Sequence, residues 1–323
     1  MLTSVLLFTV GLVLLIKGGD WFVDGATGIA RRFHLPDIIV GATVVSIGTT
    51  LPEVMVSVTG ALNQQGSMAY GNAIGSIICN TSLIAAISVA FNPGPVNTRT
   101  MKMPVIFFFV SAAVYCLAAY ILGEFPRWLG FVLLGIFVVY MYLPVRQGLK
   151  NPEEAHEEES GENANSRTLV QELLLLVVGA ALIAVGANLL VEHGTIIAQE
   201  LGVPETVIAL TFVALGTSLP ELVTTITSLR KGHASLGIGN VIGANIFNLV
   251  LVSGASVALA PFEVPVGNLL FGINSSLVLD IPLMLAVMAL LTVPALTTKK
   301  LHRWQGIALL VIYAAFCVFQ FAM

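Results

Sequence analysis

Charged side chains make up only 10% of this 323-residue sequence, against about 25% in an average soluble domain. That shortage, with a mean hydropathy of +0.94, argues against water as the main solvent. Long stretches that alternate apolar with polar residues are also lacking, which excludes transmembrane β-strands. Cysteine is rare: Cys79, Cys116 and Cys317 all fall inside apolar stretches. No disulfide framework or metal-type spacing follows from them, and they read as small buried hydrophobes. The first apolar stretch has no basic start and no small-residue cleavage site, so it is expected to be a retained helix and not a signal peptide. No His-Glu-x-x-His motif and no Ser/His nucleophile arrangement is present, so no enzyme is expected.

What the sequence has is apolar runs of roughly the 20 residues that a membrane-spanning helix needs. Ten are found, at about 3–19, 38–62, 68–91, 103–122, 128–146, 169–190, 206–229, 235–260, 269–293 and 304–322. Threading them through a bilayer separates the basic residues. Thirteen, from Lys17, Arg31 and Arg32 to Lys299, Lys300 and Arg303, land on the face opposite both termini, and only Arg127 lands on the other. Basic residues mark the cytoplasmic side. The expected product is therefore a multi-pass protein of the cell (inner) membrane with both termini extracytoplasmic.

One hydrophilic stretch, 147–168, interrupts the pattern. It carries Glu153, Glu154, Glu157, Glu158, Glu159 and Glu162, and its composition predicts an acidic, disordered cytoplasmic linker. It divides the chain into 1–146 and 169–323, each with five runs. The halves match in a constant register of 168 residues. Gly48-Thr49-Thr50-Leu51-Pro52-Glu53 falls on Gly216-Thr217-Ser218-Leu219-Pro220-Glu221, Gly71-Asn72 falls on Gly239-Asn240, and Pro36-Asp37 falls on Pro204-Glu205. Arg127-Trp128 and Arg303-Trp304 open the fifth and tenth runs. An odd number of runs per half makes the second half enter the membrane the other way up, as in many secondary transporters. The predicted fold is an all-α membrane protein of ten transmembrane helices in two inverted five-helix repeats, with the matching segments at 41–84 and 209–252.

Glu53 and Glu221 sit near the middle of the second and seventh runs. A charge at the bilayer centre costs about 2.5–3.5 kcal/mol on insertion scales, so two at matched positions need a reason. A carboxyl that ties helices together is one. The neighbours favour another, a cation site. Thr49 and Thr217 lie four residues before the glutamates and share their helix face. Pro52 and Pro220 have no N–H, so the carbonyls of Gly48 and Gly216 lose their usual partners, and both helices are expected to kink there. The following runs add Asn72, Ser76 and Asn80, and Asn240, Asn245 and Asn248; their amides serve packing, ligation or both. Gly71 and Gly75, and Gly239 and Gly243, have the spacing of close helix packing. The set holds carboxylates, hydroxyls, amides and carbonyls, with no His and no Cys, which suits hard cations. Two carboxylates balance one Ca²⁺ or two Na⁺. Asp280, in the ninth run, has no acidic counterpart and is expected to cap or hydrogen-bond a neighbouring helix.

These residues resemble the cation/calcium exchanger superfamily, on its prokaryotic sodium/calcium exchanger branch. The resemblance spans the whole chain. It implies an antiporter that exchanges Ca²⁺ for Na⁺ by alternating access, the first and sixth runs moving against a core of the second, third, seventh and eighth. It implies Ca²⁺ on Thr49, Glu53, Thr217 and Glu221. It implies Na⁺ near Ser46, Thr50, Ser76, Ala214 and Ser218, with Ser46 and Ala214 acting through main-chain carbonyls, and Asn80 and Asn248 lining the centre. Three departures stand out: Ala244 where Ser76 has its hydroxyl, Asn248 where some relatives carry Asp, and Ile77 where Asn is often found. The lost hydroxyl and charge bear on Na⁺ stoichiometry and affinity. A Ca²⁺/H⁺ antiporter of the same superfamily and a passive cation channel are the alternatives. The Gly-Thr-x-Leu-Pro-Glu setting of the glutamates favours Na⁺ over H⁺, and use of K⁺ is left open. The expected partners are the lipid bilayer and the transported ions; no cofactor, nucleic acid or protein partner is expected.

Overall fold

The computed structural model describes residues 2–150, 167–201, 216–266, 269–270 and 273–322. The acidic residues Glu153–Glu162, Pro204, Glu205, Ala214 and the start of the seventh apolar run lie outside the described residues.

Among the described residues the chain forms α1 (Leu2–Arg32), α2 (Asp37–Leu62), α3 (Gly66–Phe91), α4 (Thr98–Leu122), α5 (Arg127–Lys150), α6 (Leu169–Glu200), α7 (Leu219–Arg230), α8 (Ala234–Leu259), α9 (Ser276–Thr298) and α10 (Arg303–Ala322). Nine of them, all but α7, are long and apolar enough to cross a membrane. Large apolar side chains such as Val13, Ile121, Val177 and Val311 remain exposed on the outside of the bundle. In water they would be a liability, and in lipid they are not.

α1 and α6 outrun the apolar stretches at 3–19 and 169–190. Thirty-one residues in α1 span about 46 Å, more than the ~30 Å hydrocarbon core. The extra turns carry paired charges. Arg32 Nε bonds Glu172 Oε2 at 2.8 Å, and Lys231 Nζ bonds Asp24 Oδ1 at 2.6 Å. The two helices run antiparallel and nearly touch. A Cβ at Gly18 would lie 2.9 Å from the Gly179 carbonyl oxygen, and one at Gly179 would lie 2.5 Å from the Phe22 nitrogen.

Several helices open into a π-helical turn: Gly41–Val45 in α2, Asn80–Ala85 in α3, Ala118–Leu122 in α4, Asn248–Val252 in α8 and Ser276–Asp280 in α9. Such turns shift the hydrogen-bond ladder by one residue and concentrate at functional sites. The connections between helices form short antiparallel ribbons. β1 (Gly94–Pro95) pairs with β6 (Lys300–Leu301), β2 (Glu124–Phe125) with β3 (Phe262–Glu263), and β4 (Leu269–Leu270) with β5 (Ile273–Asn274). Beside β2, Phe125 stacks on Tyr115 with ring centroids 4.6 Å apart and meets Phe262 edge-on at 5.4 Å.

α2 and α8 approach closely, since a Cβ on Gly239 would sit 2.3 Å from the Ile38 carbonyl oxygen. This is the packing expected of Gly239 and Gly243, but not what Gly71 and Gly75 do, since an added Cβ on either would meet nothing within 4 Å among the described residues. The buried apolar core fills two regions. The larger runs through α3, α4, α5, α8 and α9; the smaller joins α1, α6 and the start of α2.

Candidate cation site

Glu53 in α2 and Glu221 in α7 are completely buried and lie within Coulombic reach of each other. Neither Glu53 oxygen, nor Glu221 Oε2, has a hydrogen-bond partner among the described residues. Buried carboxylates without partners are costly, so this pair is what a bound cation would stabilise.

The backbone around them differs from the expected kinks. Pro52 sits inside an uninterrupted α-helical stretch, Ser46–Leu62, and the irregularity of α2 falls earlier, at Gly41–Val45. A proline removes one backbone bond, and membrane helices tolerate that loss when neighbouring groups and local π adjustments compensate. In the second half the irregularity falls where expected. Gly216–Ser218 form a turn, the Leu219 N–H reaches the Gly216 carbonyl at 3.4 Å, and Pro220 occupies the first turn of α7.

The hydroxyls are arranged across the two halves. Thr49 Oγ1 donates to Asn240 Oδ1 at 3.1 Å, and Thr217 Oγ1 donates to Asn72 Oδ1 at 3.4 Å. The threonine of each half is thus held by the asparagine of the other. Thr50 Oγ1 lies 3.5 Å from Glu221 Oε1, again across the halves. Asn72 Nδ2 turns back to the Glu53 carbonyl at 3.1 Å and to Ser57 Oγ at 2.8 Å. The sequence suggests packing or ligation for Asn72 and Asn240; that they aim the threonines of the opposite half is visible only in the structure. The sequence holds only a hint: both share the register of 168 with Thr49 and Thr217.

Asn80 and Asn248 are fully buried, and both ends of each amide are unpartnered among the described residues. Each begins a π-helical turn. Ser46, Ser76 and Ser218 are buried, Thr217 is half-buried, and Ala214 lies outside the described residues. Asn245 stands apart. Its Nδ2 donates to Thr81 Oγ1 at 2.7 Å and reaches Met288 Sδ at 3.2 Å, tying α8 to α3 and α9. Asp280 does not do what the sequence suggested. It makes no side-chain cap bond to the helix that follows it, and its Oδ1 is buried without a partner among the described residues. It closes the π-helical turn of α9.

Gly48, Pro52, Thr217 and Pro220, together with Phe22 and Asn188, line part of a cavity of about 870 Å³ between α1, α2, α6 and α7. It brings an open space to the flank of the buried carboxylates, beside the pair formed by α1 and α6.

The family model for sodium/calcium exchanger protein matches residues 3–146 and 172–322. Sodium/calcium exchanger MaX1 of Methanosarcina acetivorans is 31% identical over 355 residues, covering 98% of each chain. Inner membrane protein YrbG of Escherichia coli is 33% identical over 268 residues, covering 82% of each chain. The solved structure of the sodium-calcium exchanger NCX_Mj soaked with 2.5 mM Na⁺ and 1 mM Sr²⁺ is similar with a TM-score of 0.79 at 30% identity, covering 98% of this chain and 97% of that one.

Proposed function

The chain belongs to the sodium/calcium exchanger family, and from that premise we propose that it exchanges Ca²⁺ for Na⁺ across the membrane through the cluster around Glu53 and Glu221. The observation that carries this reading is the pair of fully buried carboxylates, one from each half, with the Thr50 hydroxyl 3.5 Å from Glu221 and with Thr49 and Thr217 held by Asn240 and Asn72 of the opposite halves. Such a set binds hard cations. Two negative charges accept one Ca²⁺ or two Na⁺, so the two ions compete for one site, and competition is what couples their movements.

In this assignment Glu53, Glu221, Thr49 and Thr217 hold Ca²⁺. Ser46, Thr50, Ser76, Ala214 and Ser218 help to hold Na⁺, and Asn80 and Asn248 line the centre. The domains are 1–146 and 169–323, joined by the acidic stretch 147–168. Several paired contacts support an inverted repeat. Gly94 and Phe262, which open β1 and β3, are 168 positions apart, and each strand pairs with the segment just before the last helix of the other half. Val96 N bonds the Lys299 carbonyl at 3.0 Å as Val264 N bonds the Gly123 carbonyl at 2.9 Å. A Cβ on Gly130 would meet the Ala258 nitrogen at 2.4 Å, and one on Gly306 would meet the Ala90 nitrogen at 2.5 Å.

Alternating access then works by movement of α1 and α6, which pack along each other, against α2, α3, α7 and α8. In this reading the turn between α7 and α8, which carries Arg230 and Lys231, faces the cytoplasm and both termini face outside, as the distribution of basic residues suggests. The name of the Escherichia coli relative supports an inner-membrane location.

The test is ⁴⁵Ca²⁺ uptake into proteoliposomes preloaded with Na⁺, K⁺ or acid, comparing the wild type with Glu53→Gln and Glu221→Gln. The expected result is uptake that needs internal Na⁺ and disappears in both variants. Uptake driven by protons without Na⁺, or uptake indifferent to both glutamates, would overturn the reading.

A further inference from the structure

The two ends of the bundle carry matching ribbons that are packed differently. At one end Phe125 of β2 is the register partner of Phe262 of β3, and at the other Leu301 of β6 is the register partner of Gly94 of β1. The positions correspond. Gly94 and Phe262 are 168 apart, and Phe125 and Leu301 each lie two residues before the Arg-Trp that opens the last helix of their half. Beneath the ribbons, Tyr70 corresponds to Ile238 and Gly66 to Ala234 in the register of 168.

Three aromatic rings fill the first end. Phe262 lies so close over Gly66 that a Cβ there would fall 2.5 Å from its Cγ. It meets Phe125 edge-on at 5.4 Å, and Phe125 stacks on Tyr70 at 6.3 Å. At the other end all three rings are replaced at once, by Gly94, Leu301 and Ile238. An added Cβ on Gly94 meets nothing within 4 Å among the described residues. A cavity of about 260 Å³ opens at this end, lined by Gly94, Leu301, Ile238 and Ala234, the counterparts of the four residues that meet at the first end. In the orientation proposed above, it lies on the cytoplasmic side.

The lining is not only apolar. Asn92 and Asn97 also line the cavity, and in the register they stand where the other half has Ala260 and Pro265. The end that loses three rings thus gains two amides. No charged side chain lines the cavity among the described residues. The charged neighbours of Ile38 and Ala234 in the sequence, Asp37 and His233, are engaged with each other at 2.6 Å. Apolar walls with a few polar groups are the usual form of a small-molecule site, and the volume falls just below the roughly 300–1,000 Å³ of drug-sized pockets. It suits one ring and its substituents.

We propose that this cavity binds a neutral, ring-sized molecule with a hydrogen-bonding edge, a phenol being the simplest of the class. The ring takes the place that Phe262 fills at the other end, and the polar edge meets Asn92 and Asn97. Once seated, the molecule joins the start of α8 to the ribbon of β1 and β6, as Phe262 joins the start of α3 to β2. The site is separate from Glu53 and Glu221 and does not depend on which ions the protein exchanges.

The test is a fluorine NMR titration of the full-length protein in lipid nanodiscs, with 4-fluorophenol and 4-fluorotoluene as probes. The wild type should bind 4-fluorophenol saturably. Gly94→Phe supplies the missing ring and should weaken binding of both probes about tenfold or more. Ala234→Leu fills the cavity from the opposite wall and should do the same, so the test stands if one variant does not fold. Asn92→Ala restores the residue type of the other half. It should weaken 4-fluorophenol about three- to tenfold, the value of one hydrogen bond, and leave 4-fluorotoluene unchanged. No saturable binding to the wild type would mean that the cavity holds only water, and equal binding to the wild type and both filled variants would place the probe in lipid. Either result would overturn the proposal. An equal loss of both probes in Asn92→Ala would overturn the assigned ligand class.

Discussion

Thr49 and Asn240 are 191 positions apart and 3.1 Å from each other, Thr49 Oγ1 to Asn240 Oδ1. The hydroxyl that shares a helix face with Glu53 is therefore aimed by a residue of the other half, and Asn72 does the same for Thr217. Removing the amide leaves a buried threonine free to turn away. Asn240→Ala and Asn72→Ala should each raise the Ca²⁺ concentration for half-maximal uptake by about tenfold, the value of one well-placed hydrogen bond. Asn245→Ala removes an amide of the same size from α8, but one bonded to Thr81 and Met288. It should lower thermal stability and leave that concentration within about twofold. Equal shifts in ⁴⁵Ca²⁺ titrations of all three variants would mean that the threonines are not held as described.

The spans and the polar residues of the site were legible because they depend on composition and on a repeated motif. Apolar runs give spans, and two copies of Gly-Thr-x-Leu-Pro-Glu give a pair of carboxylates. The overrun of α1 and α6 was not legible. Asp20, Asp24 and Glu172 look like ends of spans until Lys231, Arg167 and Arg32 are found beside them. The π-helical turns at Asn80 and Asn248 left no mark in the sequence either, because a one-residue shift of a hydrogen-bond ladder needs no special residue type. Pro52 misled for a related reason. It predicts a lost bond, which is correct, but not whether the helix bends at that point or opens a turn earlier.

The buried glutamates should make the ion-free protein less stable than a neutralised variant. Both carboxyls are fully buried and close to each other, and Glu53 has no hydrogen-bond partner among the described residues. Glu53→Gln keeps the shape and removes the strain of placing two carboxyl groups side by side in a buried site. With a chelator and no Na⁺, its melting temperature should exceed the wild type's by a few degrees. Added Ca²⁺ should raise the wild-type melting temperature and leave that of Glu53→Gln unmoved. Calcium stabilising both equally, in a fluorescence melt, would place the ion elsewhere.

The seam between α1 and α6 leaves no room for a methyl group. A Cβ on Gly179 would lie 2.5 Å from the Phe22 nitrogen, which is backbone and cannot step aside. Overpacking of this kind costs about 1–3 kcal/mol. Gly179→Ala should therefore lower the melting temperature by several degrees. Gly135→Ala, where an added Cβ meets nothing within 4 Å, is the control and should change it little. Should the two melt alike, the helices are not in the contact described.

Lys231, in the turn between α7 and α8, grips α1 by donating to Asp24 Oδ1 at 2.6 Å and to the Asp20 carbonyl at 2.8 Å. Its side chain is 27% exposed and that of Asp24 is 36% exposed, so water and salt weaken the pair. Its contribution should be that of a surface ion pair, about 0.2–1 kcal/mol. That is too little to hold the fold together, but enough to bias two states of similar energy by up to about fivefold. If α1 moves against α7 and α8 in each transport cycle, this contact breaks and reforms every time. Lys231→Ala should then keep the melting temperature within about two degrees of the wild type while shifting the Ca²⁺ concentration for half-maximal uptake by up to about fivefold. Asp24→Asn should shift it in the same direction, because it weakens the same contact from the other side. Opposite shifts in the two variants, or none in either, would mean that α1 does not leave Lys231 during transport, and the moving boundary would have to lie elsewhere.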